Sequence, residues 1–161
     1  MQTYLVVAHR TLVGEHLLDH VRSISEAAGP GQGKSGQVRS TESGTHVRFY
    51  LVVPVTHPRD HAWSEGEVEA AGRARLDEGL AAFRNVGVEA TGEVGDANPV
   101  YAVSTALRNR PFGDDAWDGI IVSTLPPGVS HWLGLDVVSR IKREFDIPVT
   151  HLVAPKVQAD A

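Results

Sequence analysis

Five short apolar runs divide the sequence, and segments with apolar residues at helical spacing separate them. The runs are rich in Val and Ile, and their length is typical of strands buried on both faces in a parallel sheet. This pattern predicts strands over residues 4–8, 47–53, 86–93, 119–123 and 149–153.

The segments between these runs predict helices over residues 13–27, 64–85, 99–110 and 136–145. Ser64 and Glu67 have the Ser-x-x-Glu spacing of a capping box, and Asn98 and Asp136 are the expected N-caps of the last two helices. Repeated alternation of strand and helix predicts an α/β protein. We expect a Rossmann-like, open, twisted five-stranded parallel sheet in the order 3-2-1-4-5, with helices on both faces.

The chain has 161 residues, which fits one α/β domain over residues 1–154. The Gly/Ser-rich stretch 29–45 is expected to be a flexible loop, and residues 155–161 are expected to be a disordered tail. The net charge of −5, the lack of a basic stripe and the lack of a long apolar stretch argue against nucleic-acid and membrane partners. The absence of cysteine excludes thiol catalysis and disulfides. Residues 1–8 have neither the basic region nor the cleavage site of a signal peptide, so a cytoplasmic protein is expected.

Two motifs have simpler structural interpretations. Residues 31–35 contain Gly-Lys-Ser, but Ala28 stands where a P-loop needs its first glycine, and the segment follows a helix instead of a strand. The spacing of His16 and His20 can support zinc binding, yet no third ligand lies at motif spacing. We therefore expect a linker and, for His16, Asp19 and His20, a solvated helix face.

A small hydrolase is the weakest of three functional hypotheses. Ser123, His131 and Asp136 are the residue types of a catalytic triad, but no Gly-x-Ser-x-Gly elbow surrounds Ser123.

Gly95 begins a stretch that predicts a tight turn before a capped helix, on the rim where ligands bind in open α/β sheets.

The loops after the first and fourth strands are expected to meet where the strand order reverses, which is the usual ligand position in such sheets. Arg10 offers a guanidinium fork to a phosphate, whereas Pro126 and Pro127 remove two backbone donors. The candidate nucleotide- or ligand-binding residues are His9, Arg10, Thr11, Val53, Pro54, Val55, Gly95, Ser123, Thr124, Leu125, Gly128 and Ser130.

The sequence resembles the universal stress protein family over nearly its whole length. The resemblance rests on the apolar strands at residues 4–8 and 50–55, on Glu-Val-Gly-Asp with the following Pro at 93–99, and on the closing segment 118–153. Within that segment, residues 121–128 (Ile-Val-Ser-Thr-Leu-Pro-Pro-Gly) resemble a divergent group common in high-GC actinobacteria.

The resemblance implies a five-stranded Rossmann-like fold and a homodimer through the last strand. A twofold mate would pair antiparallel with the edge formed by Val149, His151, Leu152 and Val153. The resemblance also implies a non-catalytic protein of stress adaptation.

Family members that bind ATP carry an Asp after strand one and Gly-x-x-Gly, nine residues, then Gly-Ser/Thr after strand four. Here His9 stands in place of the Asp, Ser123 and Pro126 in place of the first glycines, and Leu135-Asp136 in place of Gly-Ser. The resemblance therefore implies that ATP is not bound in the usual way. The alternative is a regulator that binds ATP or AMP in a remodelled site, with adenine against residues 53–55 and phosphates near Arg10, Ser123, Thr124 and Ser130.

Overall fold

Strands and helices alternate along the part of the chain that the computed structural model describes, residues 2–8, 12, 14–28, 47–55, 64–109, 111–113, 116–124 and 135–154. The strands are β1 (Gln2–Val7), β2 (Val47–Pro54), β3 (Glu89–Gly95), β4 (Gly119–Thr124) and β5 (Val149–Val153). The helices are α1 (Glu15–Ala28), α2 (Glu65–Asn85), α3 (Pro99–Asn109) and α4 (Leu135–Glu144). The expected loop at 29–45 and the expected tail at 155–161 lie outside the described residues.

The five strands form one parallel sheet in the order β3-β2-β1-β4-β5, which confirms the predicted order. Val7 of β1 lies opposite Val52 of β2 on one side and Val122 of β4 on the other. From β2 the chain continues to β3 on one side of β1, whereas from β4 it continues to β5 on the other side. This reversal places the carboxyl ends of β1 and β4 side by side.

Helices cover both faces of the sheet, as predicted, and each face has its own apolar core. Leu5 and Val7 of β1 point to the face covered by α3 and α4, whereas Val6 and Ala8 point to the face covered by α1 and α2. We call these the α3–α4 face and the α1–α2 face. Because successive strand residues alternate between the faces, β1 is buried on both sides and reads as a continuous apolar run.

Side chains cap two helices where the sequence predicted it. The Ser64 hydroxyl accepts from the Glu67 amide at 3.1 Å, and a Glu67 carboxylate oxygen accepts from the Ser64 amide at 2.9 Å. The Asn98 side chain accepts from the Val100 amide at 3.0 Å. The prediction for α4 was wrong by one residue, because the helix begins at Leu135 and includes Asp136.

The predicted third strand, 86–93, was placed too early. Val86 and Gly87 close the end of α2, where the Gly87 amide donates to the Arg84 carbonyl at 2.9 Å and Gly87 adopts a φ of 84°. The strand itself runs from Glu89 to Gly95 at the edge of the sheet, and all of its residues are half-buried or exposed. The apolar side chain of Val86 belongs to the end of α2, and it made the predicted strand begin too early.

Candidate functional site

The carboxyl ends of β1 and β4 meet a histidine from α1. His16, in the first turn of α1, forms a hydrogen bond through Nε2 with the Ser123 hydroxyl on β4, at 3.0 Å. Ser123 is only 1% exposed, and its side chain lies on the α1–α2 face. Partial burial lowers the pKa of His16 below its ordinary value of 6.5, so the ring is neutral near pH 7.

This pair corrects one interpretation of the sequence and gives Ser123 a partner that was not predicted. His16 does not belong to a wholly solvated helix face, although Asp19 does, being exposed and paired with Arg22 at 3.0 Å. A described hydrogen-bond partner of Ser123 is His16, which the hypothetical triad did not include. His131 lies outside the described residues. The apolar side of α1 is formed by Leu17, Val21 and Ile24. His16 lies beside this stripe in the sequence, and that position could have indicated that its ring faces the sheet.

The residue after Ser123 makes a matching contact on the other face of the sheet. The Thr124 hydroxyl and His151 Nε2 of β5 are 2.8 Å apart. Burial, and then the positive charge of Lys142 on α4, lower the pKa of His151. The adjacent hydroxyls of Ser123 and Thr124 are therefore each hydrogen-bonded to a neutral imidazole, that of His16 on α1 and that of His151 on β5.

A cavity of about 310 Å³ opens at the carboxyl ends of β2 and β3. Val55 and Gly95, which the sequence placed in the ligand site, both line it, whereas Val53 and Pro54 are buried within the sheet. The wall has an apolar part and three carboxylates, and the lining residues are Val55, Glu65, Val68, Glu69, Val94, Gly95, Asp96 and Ala97.

Gly95 has a structural role at this rim, in agreement with the turn prediction. A Cβ there would lie 2.8 Å from the Ala102 Cβ and 3.1 Å from a Val52 methyl, so the missing side chain lets α3 pack closely on the sheet. The Gly95 carbonyl accepts from the Val55 amide at 3.1 Å. The Asn98 amide donates to Asp96 at 2.9 Å, which closes the turn before α3.

The predicted ligand residues are thus only partly brought together. Ser123 and Thr124 lie two strands away from the cavity that Val55 and Gly95 line, a separation of about 10 Å across the sheet. The remaining predicted ligand residues lie outside the described part of the chain, and these are His9, Arg10, Thr11, Leu125, Gly128 and Ser130.

The predicted dimer strand is at the edge of the sheet. Val149, His151 and Leu152 are half-buried in the single chain, and Val153 is 46% exposed. The Ala154 amide donates to the Thr124 carbonyl, so even-numbered residues of β5 direct their backbone groups toward β4. By alternation, the backbone groups of residues 149, 151 and 153 face away from the sheet.

Two searches for other kinds of site were confined to the described residues. Within them, no group of three or more His, Cys, Asp or Glu side chains is placed to hold a metal ion. Across the same residues, no helix combines the length and the apolar content that crossing a bilayer requires.

Solved structures with this architecture come from bacteria and archaea. A protein from the universal stress protein family of Burkholderia pseudomallei matches with a TM-score of 0.55 at 16% identity, over 94% of this chain and 95% of that one. The universal stress protein from Archaeoglobus fulgidus matches with a TM-score of 0.53 at 13% identity, over 94% and 93% of the two chains. The chain has the universal stress protein fold.

A structure of the universal stress protein from Archaeoglobus fulgidus in complex with dAMP matches with a TM-score of 0.55 at 13% identity, over 94% and 96% of the two chains. No protein-family model and no curated protein matches the sequence. The similarity to universal stress proteins is therefore a similarity of fold.

Proposed function

We propose that this chain is a divergent universal stress protein that acts in the cytoplasm in stress adaptation, as a homodimer and by binding instead of catalysis. The observation that carries the proposal is the sheet order β3-β2-β1-β4-β5, found together with similarity to universal stress protein structures over 94% of the chain. The burial of Ser123 weighs against its use as a catalytic nucleophile. Ser123 is almost fully buried, and no carboxylate among the described residues is hydrogen-bonded to its partner His16.

The proposed dimer joins the β5 edges of two copies in an antiparallel arrangement about a twofold axis. The outward backbone groups of residues 149, 151 and 153 would continue the sheet, and the exposed side chain of Val153 would be covered. An edge strand of this kind otherwise presents unpaired donors and acceptors to other chains.

The dimer is tested by measuring mass with gel filtration and light scattering. Leu152→Lys is an ambiguous probe, because Leu152 also packs against the α1–α2 core. Val153→Lys changes an exposed position and is expected to give a monomer with an unchanged circular dichroism spectrum. Ala81→Lys, on an exposed position of α2, is the matched control and should stay dimeric. A parent protein that is monomeric at all concentrations would contradict the dimer.

A second candidate function is the regulatory binding of an adenine nucleotide such as ATP or AMP. A neighbour with the same fold was solved in complex with dAMP, and this chain has a cavity at the carboxyl ends of β2 and β3. We propose that the base occupies the cavity beside Val55. The carboxylates of Glu65, Glu69 and Asp96 would disfavour a phosphate there, so the phosphate would lie toward Ser123.

Isothermal titration calorimetry with ATP, AMP and cyclic AMP tests this candidate. Val55→Tyr should fill part of the cavity and weaken binding about tenfold, which corresponds to about 1.4 kcal/mol. Ala81→Tyr, on the exposed far part of α2, should bind like the parent. The absence of any heat signal at millimolar nucleotide would end the nucleotide hypothesis and leave the dimer proposal standing.

A further inference from the structure

The outer edge of β5 has one antiparallel register in which two copies overlap along the whole strand. The backbone groups of Val149, His151 and Val153 face away from the sheet, so these three residues can pair with a second copy. In an antiparallel pair about a twofold axis, full overlap sets Val149 opposite Val153 of the other copy, and His151 opposite His151. Each opposed pair then exchanges two backbone hydrogen bonds.

The residues on either side of β5 disfavour the neighbouring registers. A shift by two residues in one direction would need a backbone donor from residue 155, which is a proline. The opposite shift would need Ile147, which lies before the first residue of β5. Full overlap also sets the half-buried Val149 against Val153, whose side chain is 46% exposed, and so covers apolar surface on both copies.

His151 is the one titratable residue of β5, and full overlap places two such rings on the same face of the extended sheet. Residues that face each other in a hydrogen-bonded antiparallel pair have Cα atoms about 5.5 Å apart. Two neutral imidazoles are compatible with this distance. Two imidazoliums repel each other, because like charges directly opposite destabilise a strand pair.

The groups around His151 favour a neutral ring within each chain. The Thr124 hydroxyl of β4 is 2.8 Å from Nε2, and β4 has no charged residue. Burial, and then the positive charge of Lys142 on α4, lower the pKa of His151 below 6.5. Of the other charged residues of α4, Asp136 lies in the first turn, and Arg140, Arg143 and Glu144 are exposed. A second imidazolium opposite would lower the pKa of His151 further.

We propose that two copies pair in this register, with the His151 rings facing each other across the twofold axis, and that protonation of these rings separates the two chains. The inference rests on the dimer proposed above and adds its register and its control by pH. The dimer binds fewer protons than two separate chains. Its stability is therefore retained above pH 6.5 and falls as the pH drops through the pKa of His151 in the single chain.

The absence of cysteine from the chain allows a direct test of the register. His151→Cys should give a disulfide-linked dimer under mild oxidation at pH 8, since Cα atoms about 5.5 Å apart lie within the range that a disulfide spans. Val153→Cys, on the same face, is the matched control and should stay unlinked, because the two copies of this position are about 14 Å apart along the strand pair. Non-reducing gel electrophoresis measures both. Failure of His151→Cys to cross-link, or equal cross-linking of the two variants, would overturn the register.

The dissociation constant of the dimer at pH 7.5 and pH 5.0, measured by sedimentation equilibrium, tests the control by pH. Between these values it should rise about tenfold more in the parent than in His151→Gln, whose side chain takes up no proton. His20→Gln, on a helix that covers the opposite face, is the matched control and should behave like the parent. Circular dichroism at both pH values checks that each protein is folded.

The outcomes separate this inference from the dimer itself. An equal change of the dissociation constant in the parent and His151→Gln would overturn the control by pH while leaving the dimer intact. A parent protein that is monomeric at pH 7.5 would overturn both.

A measurement on the unaltered protein guards against a variant that fails to fold. The imidazole C–H resonances of His151, followed by NMR against pH, report its pKa directly. That pKa should be lower at protein concentrations above the dissociation constant than at concentrations below it, because only the dimer brings the two rings together. The same pKa at both concentrations would overturn the inference.

Discussion

At the scale of single residues, two glycines of α2 show how the sheet constrains its covering helix. A Cβ on Gly79 would overlap the Leu12 side chain and lie 3.2 Å from a Leu51 methyl, whereas a Cβ on Gly66 would meet only the Ser64 hydroxyl at 3.9 Å. Gly79→Ala should therefore destabilise the fold by about 1–3 kcal/mol through overpacking, despite its better helix propensity. Urea unfolding monitored by circular dichroism measures this change.

Gly66→Ala is the matched control in the same helix. Its methyl enters open space, so helix propensity alone should stabilise the protein, by up to about 1 kcal/mol. If both substitutions shifted the unfolding midpoint in the same direction, the close packing of Leu12 against α2 would be refuted.

Residue identities predicted that polar residues end β4 but not the contacts that they make. Ser123 was identified because it follows a buried apolar run, and β4 ends one residue later, at Thr124. Its hydrogen bond to His16 was not predicted, because the two residues are 107 positions apart in the sequence and meet only in the folded chain. Pairing between a helix and a distant strand depends on how the elements pack, and no local pattern encodes that.

At the scale of elements, the capping box of α2 fixes the start of a helix that lines the β2–β3 cavity. Ser64→Ala removes the acceptor for the Glu67 amide and should cost about 1 kcal/mol of unfolding free energy. Ser64→Thr keeps a hydroxyl and should cost a few tenths of that. Equal losses in the two variants, measured by urea unfolding, would show that the hydroxyl does not act as a cap.

Element boundaries were predictable where burial is uniform and failed where it changes. β4 is buried along its whole length, so its apolar run matches the strand closely. At β3 the turn residues Val86 and Val88 pack against the core, although the strand starts only at Glu89. Hydrophobicity reports burial, and a buried helix end therefore resembles the start of a strand.

At the scale of the whole molecule, the repeated strand–helix alternation predicted a doubly wound parallel sheet, since parallel neighbours need right-handed crossovers through helices. Alternation alone is compatible with more than one strand order, and the expected order 3-2-1-4-5 is the Rossmann-type one.

Two histidines that contact β4 make the stability of this fold depend on pH. Both His16 and His151 have a pKa below 6.5 in the folded chain. Between pH 7.5 and 5.5 the unfolded chain consequently binds more protons than the folded one, and stability should fall as the pH falls.

The double variant His16→Gln/His151→Gln tests this linkage. Both histidines have lowered pKa values, so removing them should reduce the loss of unfolding free energy between pH 7.5 and pH 5.5. Asp and Glu side chains titrate mainly below pH 5, so they contribute little to the change in unfolding free energy between pH 7.5 and pH 5.5. Urea unfolding at both pH values, without nucleotide, measures the difference. A parent protein as stable at pH 5.5 as at pH 7.5, or a double variant with the same pH dependence as the parent, would contradict neutral imidazoles at these two positions.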